Sequence, residues 1–220
     1  MSRPTIAQPG IAAYAAAHSE PPDPVLDSLI RATAEKAGGA ALMQIGPDQG
    51  AFMHVLVTTL RPAFAVEVGT FTGYSSLCIA RGLAPGGRLL CCDVSEEWTA
   101  IGREHWEMAG VADRIDLRIA PAIDTLRALP DEPRIDFAFI DADKPAYRDY
   151  YEEILRRLAP NGVILFDNTL WSGNVLDESG ADDENTVALR ALNDFLVTDE
   201  RVVVAQLTIG DGVTMARRRG

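Results

Sequence analysis

The chain has 220 residues, 47% hydrophobic and 24% charged, with 20 Lys plus Arg against 32 Asp plus Glu for a formal charge of −12. That balance excludes a disordered, collagen-like or fibrous chain and suits one globular domain over 1–220, large enough to fold without disulfides or a structural metal. The acidic surplus repels phosphate backbones and anionic lipid, which argues against nucleic acid and membrane as partners.

Residues 1–60 read as a helical cap, with helices expected over 10–18, 24–37 and 47–60. The second is entered through Asp23 with Pro24 in its first turn, and no strand is expected. The Ala-rich stretch from Ala12 to Ala17 is interrupted by Tyr14 and His18 and no long apolar run follows a basic start, so it lacks the form of a signal peptide. No apolar run approaches the roughly 20 residues that span a bilayer, and the expected location is cytoplasmic. His18, His54 and His105 share no metal-ligand spacing; the latter two read as packing or surface residues.

From residue 61 onward, short apolar runs alternate with helical periods, the pattern of βαβ units around a parallel sheet. Strands are expected over 63–68, 88–93, 116–120, 135–141 and 163–167, with helices over 74–83, 96–109, 123–128 and 146–158, closed by Gly or Pro. The strands are nearly all apolar, so helices should cover both faces. Strand-like runs over 201–209 and 213–217 are joined by Gly210-Asp211-Gly212, too short for a parallel crossover, which leaves one antiparallel strand. The polar segment from Leu170 to Glu184 reads as a long functional loop, and Arg217-Arg218-Arg219 as a solvated tail. Cys78, Cys91 and Cys92 fit no zinc or redox spacing and read as small buried hydrophobes in a reducing compartment. Trp98 and Trp106, eight residues apart on one helix, read as packing residues.

The first strand runs into Glu67-Val68-Gly69-Thr70-Phe71-Thr72-Gly73-Tyr74-Ser75, a turn that opens bare backbone to a ligand at the carboxyl end of the sheet. Phe71 and Glu67 do not suit a pyrophosphate, so the ligand is expected to be cationic or neutral. Ser75 could equally serve as a helix cap. Asp93 ends the next strand, 20 residues after Gly73, at the distance from which a carboxylate accepts hydrogen bonds from a ribose diol. Together these residues describe a site for a nucleoside without phosphates.

Two further strands end in acid, at Asp141 and at Asp167-Asn168. A carboxylate at the end of an apolar strand is costly unless paired or bound to metal. Asp141, Asp167 and Asn168 offer only oxygen, which suits Mg, Mn or Ca; the alternative is that the acids cap helices or pair with Lys144. Beside a cation, Lys144 could take a proton or steer a phenolate. Trp171 follows these residues and could wall a substrate pocket, with Tyr147 a candidate of the same kind.

These motifs, in this order from about Gln44 to Arg217, resemble the cation-dependent class I O-methyltransferases, the caffeoyl-CoA and catechol O-methyltransferase-like family. The resemblance implies a Rossmann-like α/β fold with a seven-stranded, mostly parallel sheet and one antiparallel strand. It implies S-adenosylmethionine as donor, contacted by Ile45, Glu67, Gly69, Thr70, Ser75, Asp93, Ala122 and Asp141. It further implies a divalent cation on Asp141, Asp167 and Asn168, with Lys144 removing a proton or holding the acceptor oxygen, a catechol-like aromatic acceptor, and a homodimer formed through the N-terminal helices and sheet-edge segments. The chain departs from the plant pattern before Gln44 and over 177–183, the expected acceptor-recognition regions. Other readings are a NAD(P)-dependent oxidoreductase and a non-catalytic S-adenosylmethionine-binding protein.

Overall fold

The computed structural model describes residues 10–132, 134–176 and 183–219. Three helices open the chain: α1 (Ile11–Ala17), α2 (Pro24–Ala37) and α3 (Pro47–Leu60). Asp23 Oδ1 caps α2 by accepting from Val25 N at 3.1 Å and Leu26 N at 2.9 Å, and Pro24 supplies a preset first turn. There follow β1 (Phe64–Val68), α4 (Tyr74–Gly82), β2 (Arg88–Asp93), α5 (Glu96–Met108), β3 (Ile115–Ile119), α6 (Ala122–Arg127), β4 (Ile135–Ile140), α7 (Tyr147–Arg156) and β5 (Leu158–Phe166). The chain closes with α8 (Glu184–Thr198), β6 (Val202–Leu207) and β7 (Val213–Arg218).

The seven strands form one sheet in the order β3-β2-β1-β4-β5-β7-β6; β7 runs antiparallel to both β5 and β6, as the short hairpin link requires. Strand parity divides the core. Val66, Val68, Ile140 and Phe166 face α6, α7 and α8, while Ala65, Leu89, Phe137 and Leu165 face the helices α2 to α5. The strand order turns back between β1 and β4, and the crevice beyond the carboxyl ends of those strands is where open sheets of this type hold ligands.

Four expectations need correction. Helix α8 was not anticipated, because its buried stripe of Thr186, Leu189, Leu192 and Leu196 follows directly on the polar segment; Asp183 caps it, Oδ1 accepting from Thr186 N at 3.0 Å. Of that segment, Trp171–Leu176 forms kinked 3-10 turns, and 177–182 lie outside the described residues. Arg217 and Arg218 belong to β7 and are no solvated tail: Arg217 donates to Asn161 Oδ1 at 2.8 Å, Arg218 to the Leu155 carbonyl, and Arg219 N to Arg201 O at 2.9 Å. Strand β5 begins at Leu158, before the Pro-Asn-Gly sequence expected to close α7, because Leu158 pairs with Ile135 and a register shift absorbs the residues between. Cys78, Cys91 and Cys92 are free and buried, and among the described residues no helix is long and apolar enough to cross a membrane.

Candidate active site

The site begins where β1, β2 and β4 end together. Gly69 N donates to Cys92 O at 2.9 Å, and Asp141 N donates to Val68 O at 2.8 Å, which ties the three strand tips. Gly69 has φ 88°, and a Cβ there would lie 1.9 Å from Asp141 O, so only glycine lets the two backbones meet. The following turn is held by Asp93. Its Oδ2 accepts from Thr70 N at 2.9 Å and Phe71 N at 2.8 Å, and its Oδ1 accepts from Ser95 N at 2.8 Å. Phe71 takes the left-handed φ of 50° inside this clasp.

Ile45, Gly69, Thr70, Ser75, Asp93, Ala122, Asp141, Lys144, Asp167, Asn168 and Trp171 all line one cavity of about 1200 Å³. The sequence had assigned these residues to a nucleoside and to a cation separately; the fold puts both sets around one space. At the Asp141–Asp167 end of the cavity, Asp167 is 2% exposed. Burial and the neighbouring Asp141 carboxylate push its carboxyl well above the ordinary range, while Gln49 and the Asn168 amide oppose the shift. Its Oδ1 accepts Asn168 N at 2.8 Å. Lys144, 8% exposed, places Nζ 3.0 Å from Asp141 Oδ1 and 5.8 Å from the centre of the Trp171 ring. A single ammonium thus faces two crowded carboxylates. Among the described residues no group of three or more His, Cys, Asp and Glu converges; the donor set here is two carboxylates and an amide.

Two assigned residues stand elsewhere. Tyr147 does not wall the pocket: it is 1% exposed, packs near Phe166, and its Oη accepts from Lys144 Nζ at 2.7 Å, so it anchors the lysine from below. Burial pushes its phenol well above the ordinary value. Glu67 is fully buried under the turn and does not line the cavity. Strand parity directs it towards α4, where the Ser76 hydroxyl donates to Oε2 and the Cys91 thiol lies 3.3 Å away. Burial pushes this carboxyl up to about 7, against the Ser76 hydroxyl bond. Ser75 does not cap α4, whose N-cap is Gly73 with no side-chain bond.

Several lining residues were missed. Trp98, read as packing, reaches the cavity and meets Phe71 edge-on at 5.0 Å between ring centres; its place five residues after Asp93 was the available signal. Trp106 does pack, donating its Nε1–H to Gly73 O at 3.1 Å. Asp143 lines the cavity with its Oδ1 accepting Tyr150 Oη–H at 2.7 Å, and Gln49 reaches it from α3. His105 is buried with Nδ1 2.8 Å from Ile101 O, and His54 is exposed, so neither serves the site.

Residues 16–219 match the sequence profile of a family described as O-methyltransferase. Over 205 residues the chain is 39% identical to a Dictyostelium discoideum protein named probable caffeoyl-CoA O-methyltransferase 2, covering 92% of this chain and 88% of that one. It is 36% identical over 203 residues to the caffeoyl-CoA O-methyltransferase of Populus kitakamiensis, covering 88% and 86%. Among solved structures, the O-methyltransferase from Bacillus cereus in complex with SAH aligns with a TM-score of 0.85 at 31% identity, covering 96% of this chain and 97% of that one.

Proposed function

The chain belongs to the O-methyltransferase family, and from that premise we propose that it moves the methyl group of S-adenosylmethionine to a hydroxyl of a catechol-like small molecule with the help of a divalent cation. The observation that carries this reading is the meeting of Asp93 with Asp141, Lys144, Asp167 and Asn168 around one cavity. A nicotinamide oxidoreductase would use Asp93 and leave the crowded carboxylates unexplained.

The residues fit both groups. Thr70 Oγ1 and Gln49 Nε2 are buried without a hydrogen bond of normal geometry among the described residues, Gln49 acting on Asp167 only weakly, and both belong to the cavity lining, as expected where a polar ligand completes the bonding. Asp93 Oδ1 accepts one backbone amide and keeps room for a ribose hydroxyl. Asp141, Asp167 and the Asn168 amide oxygen would hold a hard cation such as Mg, Mn or Ca. A bound cation would supply Lewis acidity that lowers the pKa of a neighbouring aromatic hydroxyl. Lys144, fixed by Asp141 and Tyr147, holds the acceptor oxygen as an ammonium donor, or takes that proton once its own Nζ has first given one up to solvent. Trp171 offers a flat wall to an aromatic ring. Because methyl transfer is an in-line displacement, the protein contributes mainly alignment, on the order of 7 kcal/mol or more.

We further assign residues 10–60 to a cap on a single domain and to the contact of a homodimer, since Tyr14 and Val55 there are 61% and 65% exposed; the part of this expectation on 1–9 lies outside the described residues. Thermal-shift measurements test the donor assignment. S-adenosylhomocysteine should raise the melting temperature and NADH should not; a shift with NADH alone would overturn it.

A further inference from the structure

The loop after β5 carries left-handed backbone at Asn168, Trp171 and Ser172, with φ of 55°, 47° and 52°. Such conformations persist only where their surroundings hold them. The hold comes from the tip of the β6–β7 hairpin. Asp211 O accepts Leu170 N at 3.1 Å, Gly212 O accepts Thr169 N at 3.0 Å, and a Cβ at Gly212 would lie 2.6 Å from Leu170 N, so the hairpin is seated against the loop. The Asp211 side chain completes the contact. Its Oδ1 accepts from Ser172 N and, at 3.3 Å, from Ser172 Oγ, while its Oδ2 lies 3.5 Å from Asn168 Nδ2.

We propose that Asp211 is a positioning residue that fixes which end of the Asn168 amide faces the cavity. An asparagine amide has two ends of nearly equal shape and opposite chemistry, and only the oxygen can ligate a cation. An ionised carboxylate accepts and never donates, so it attracts Nδ2 and repels Oδ1. With Asp211 on one side of Asn168, the oxygen is left for the cavity that both residues line. The same carboxylate sets the backbone of Ser172, next to Trp171, and thereby ties the cation end to the acceptor wall. This inference rests on the cation reading of Asp141, Asp167 and Asn168.

Binding of Mn²⁺ to the full chain, without donor or acceptor and read as free Mn²⁺ by electron paramagnetic resonance, tests it. Asp211→Asn should weaken binding roughly 10- to 100-fold, the usual effect of removing a partner that orients a ligand. Adding Asn168→Asp to that variant should restore most of the lost affinity, since the exchanged pair again matches one donor to one acceptor and offers the cation an oxygen in either rotamer. If Asp211→Asn does not fold by circular dichroism, Asp211→Ser replaces it with the same expected loss. Wild-type affinity in the single variant, or a loss that the exchange does not repair, would overturn the positioning role. Failure of the wild type itself to bind Mn²⁺ would overturn the cation reading and this inference with it.

Discussion

Replacing Asp93 by Ala should damage two properties at once, and their ratio tests the dual role of this carboxylate. In the free protein it accepts three backbone amides, from Thr70, Phe71 and Ser95, at 2.8 to 2.9 Å. Its removal leaves those three N–H groups unpaired on partly buried ground, a cost of about 2–4 kcal/mol to folding, which relaxation of the left-handed Phe71 backbone offsets only in part. Loss of the proposed ribose contact would be separate, about 1.5–3 kcal/mol, or roughly 10- to 150-fold in donor affinity. Urea unfolding measures the first and calorimetric titration of S-adenosylhomocysteine the second. Asp93→Asn should behave differently: its carbonyl can still accept from the turn, so stability falls less than affinity. An Asp93→Ala protein with unchanged unfolding midpoint would refute the clasp, and unchanged affinity would refute the ribose contact.

Other expectations follow from the same geometry. Asp167→Ala should abolish cation-dependent turnover while calorimetry with S-adenosylhomocysteine shows donor binding largely preserved; retained turnover would contradict its role. Lys144→Met should reduce kcat by about 10²- to 10⁴-fold with little change in donor affinity, and Tyr147→Phe, which removes the 2.7 Å bond to Nζ, should reproduce a smaller part of that loss in steady-state kinetics. On the far side of the sheet, Asp199 is held well down, to about 2, by the Arg201 guanidinium, with Tyr151 Oη also donating to it. A depressed carboxyl stabilises the fold above its unfolded value of 3.8 and loses that contribution as pH falls towards 2. Asp199→Asn should therefore cost about 2 kcal/mol at pH 7 by urea titration, with the gap from wild type narrowing below about pH 4.

The sheet was legible because β1, β2, β4 and β5 carry the apolar runs of its centre, and the hairpin because Gly210-Asp211-Gly212 allows no crossover. The shared cavity was legible in part: acids at Asp93, Asp141 and Asp167 each end a strand, and parallel strands bring their carboxyl ends to one edge. The acidity of Glu67 says nothing about which side of the sheet it faces; its parity does. Position 67 alternates with Val66 and Val68, which face α6 to α8, and so must turn to the α4 side, where Ser76 waits. Tyr147, an aromatic close after Asp141 as Trp171 is after Asp167, lies three residues along a helical turn from Lys144, which puts it under the lysine. The helical spacing of Trp98 to Trp106 points to packing and says nothing about the first turn of α5 overhanging the Asp93 end of the cavity. Helix α8 escaped because an acidic, polar run hid its cap at Asp183.

The most direct measurement is transfer of labelled methyl from S-adenosylmethionine to a simple catechol by the full chain, with magnesium and again after chelation. The account predicts a monomethylated product that disappears with the chelator and returns on restoring magnesium. An undiminished rate in chelator, or no transfer to any vicinal diol by protein that binds the donor, would contradict it.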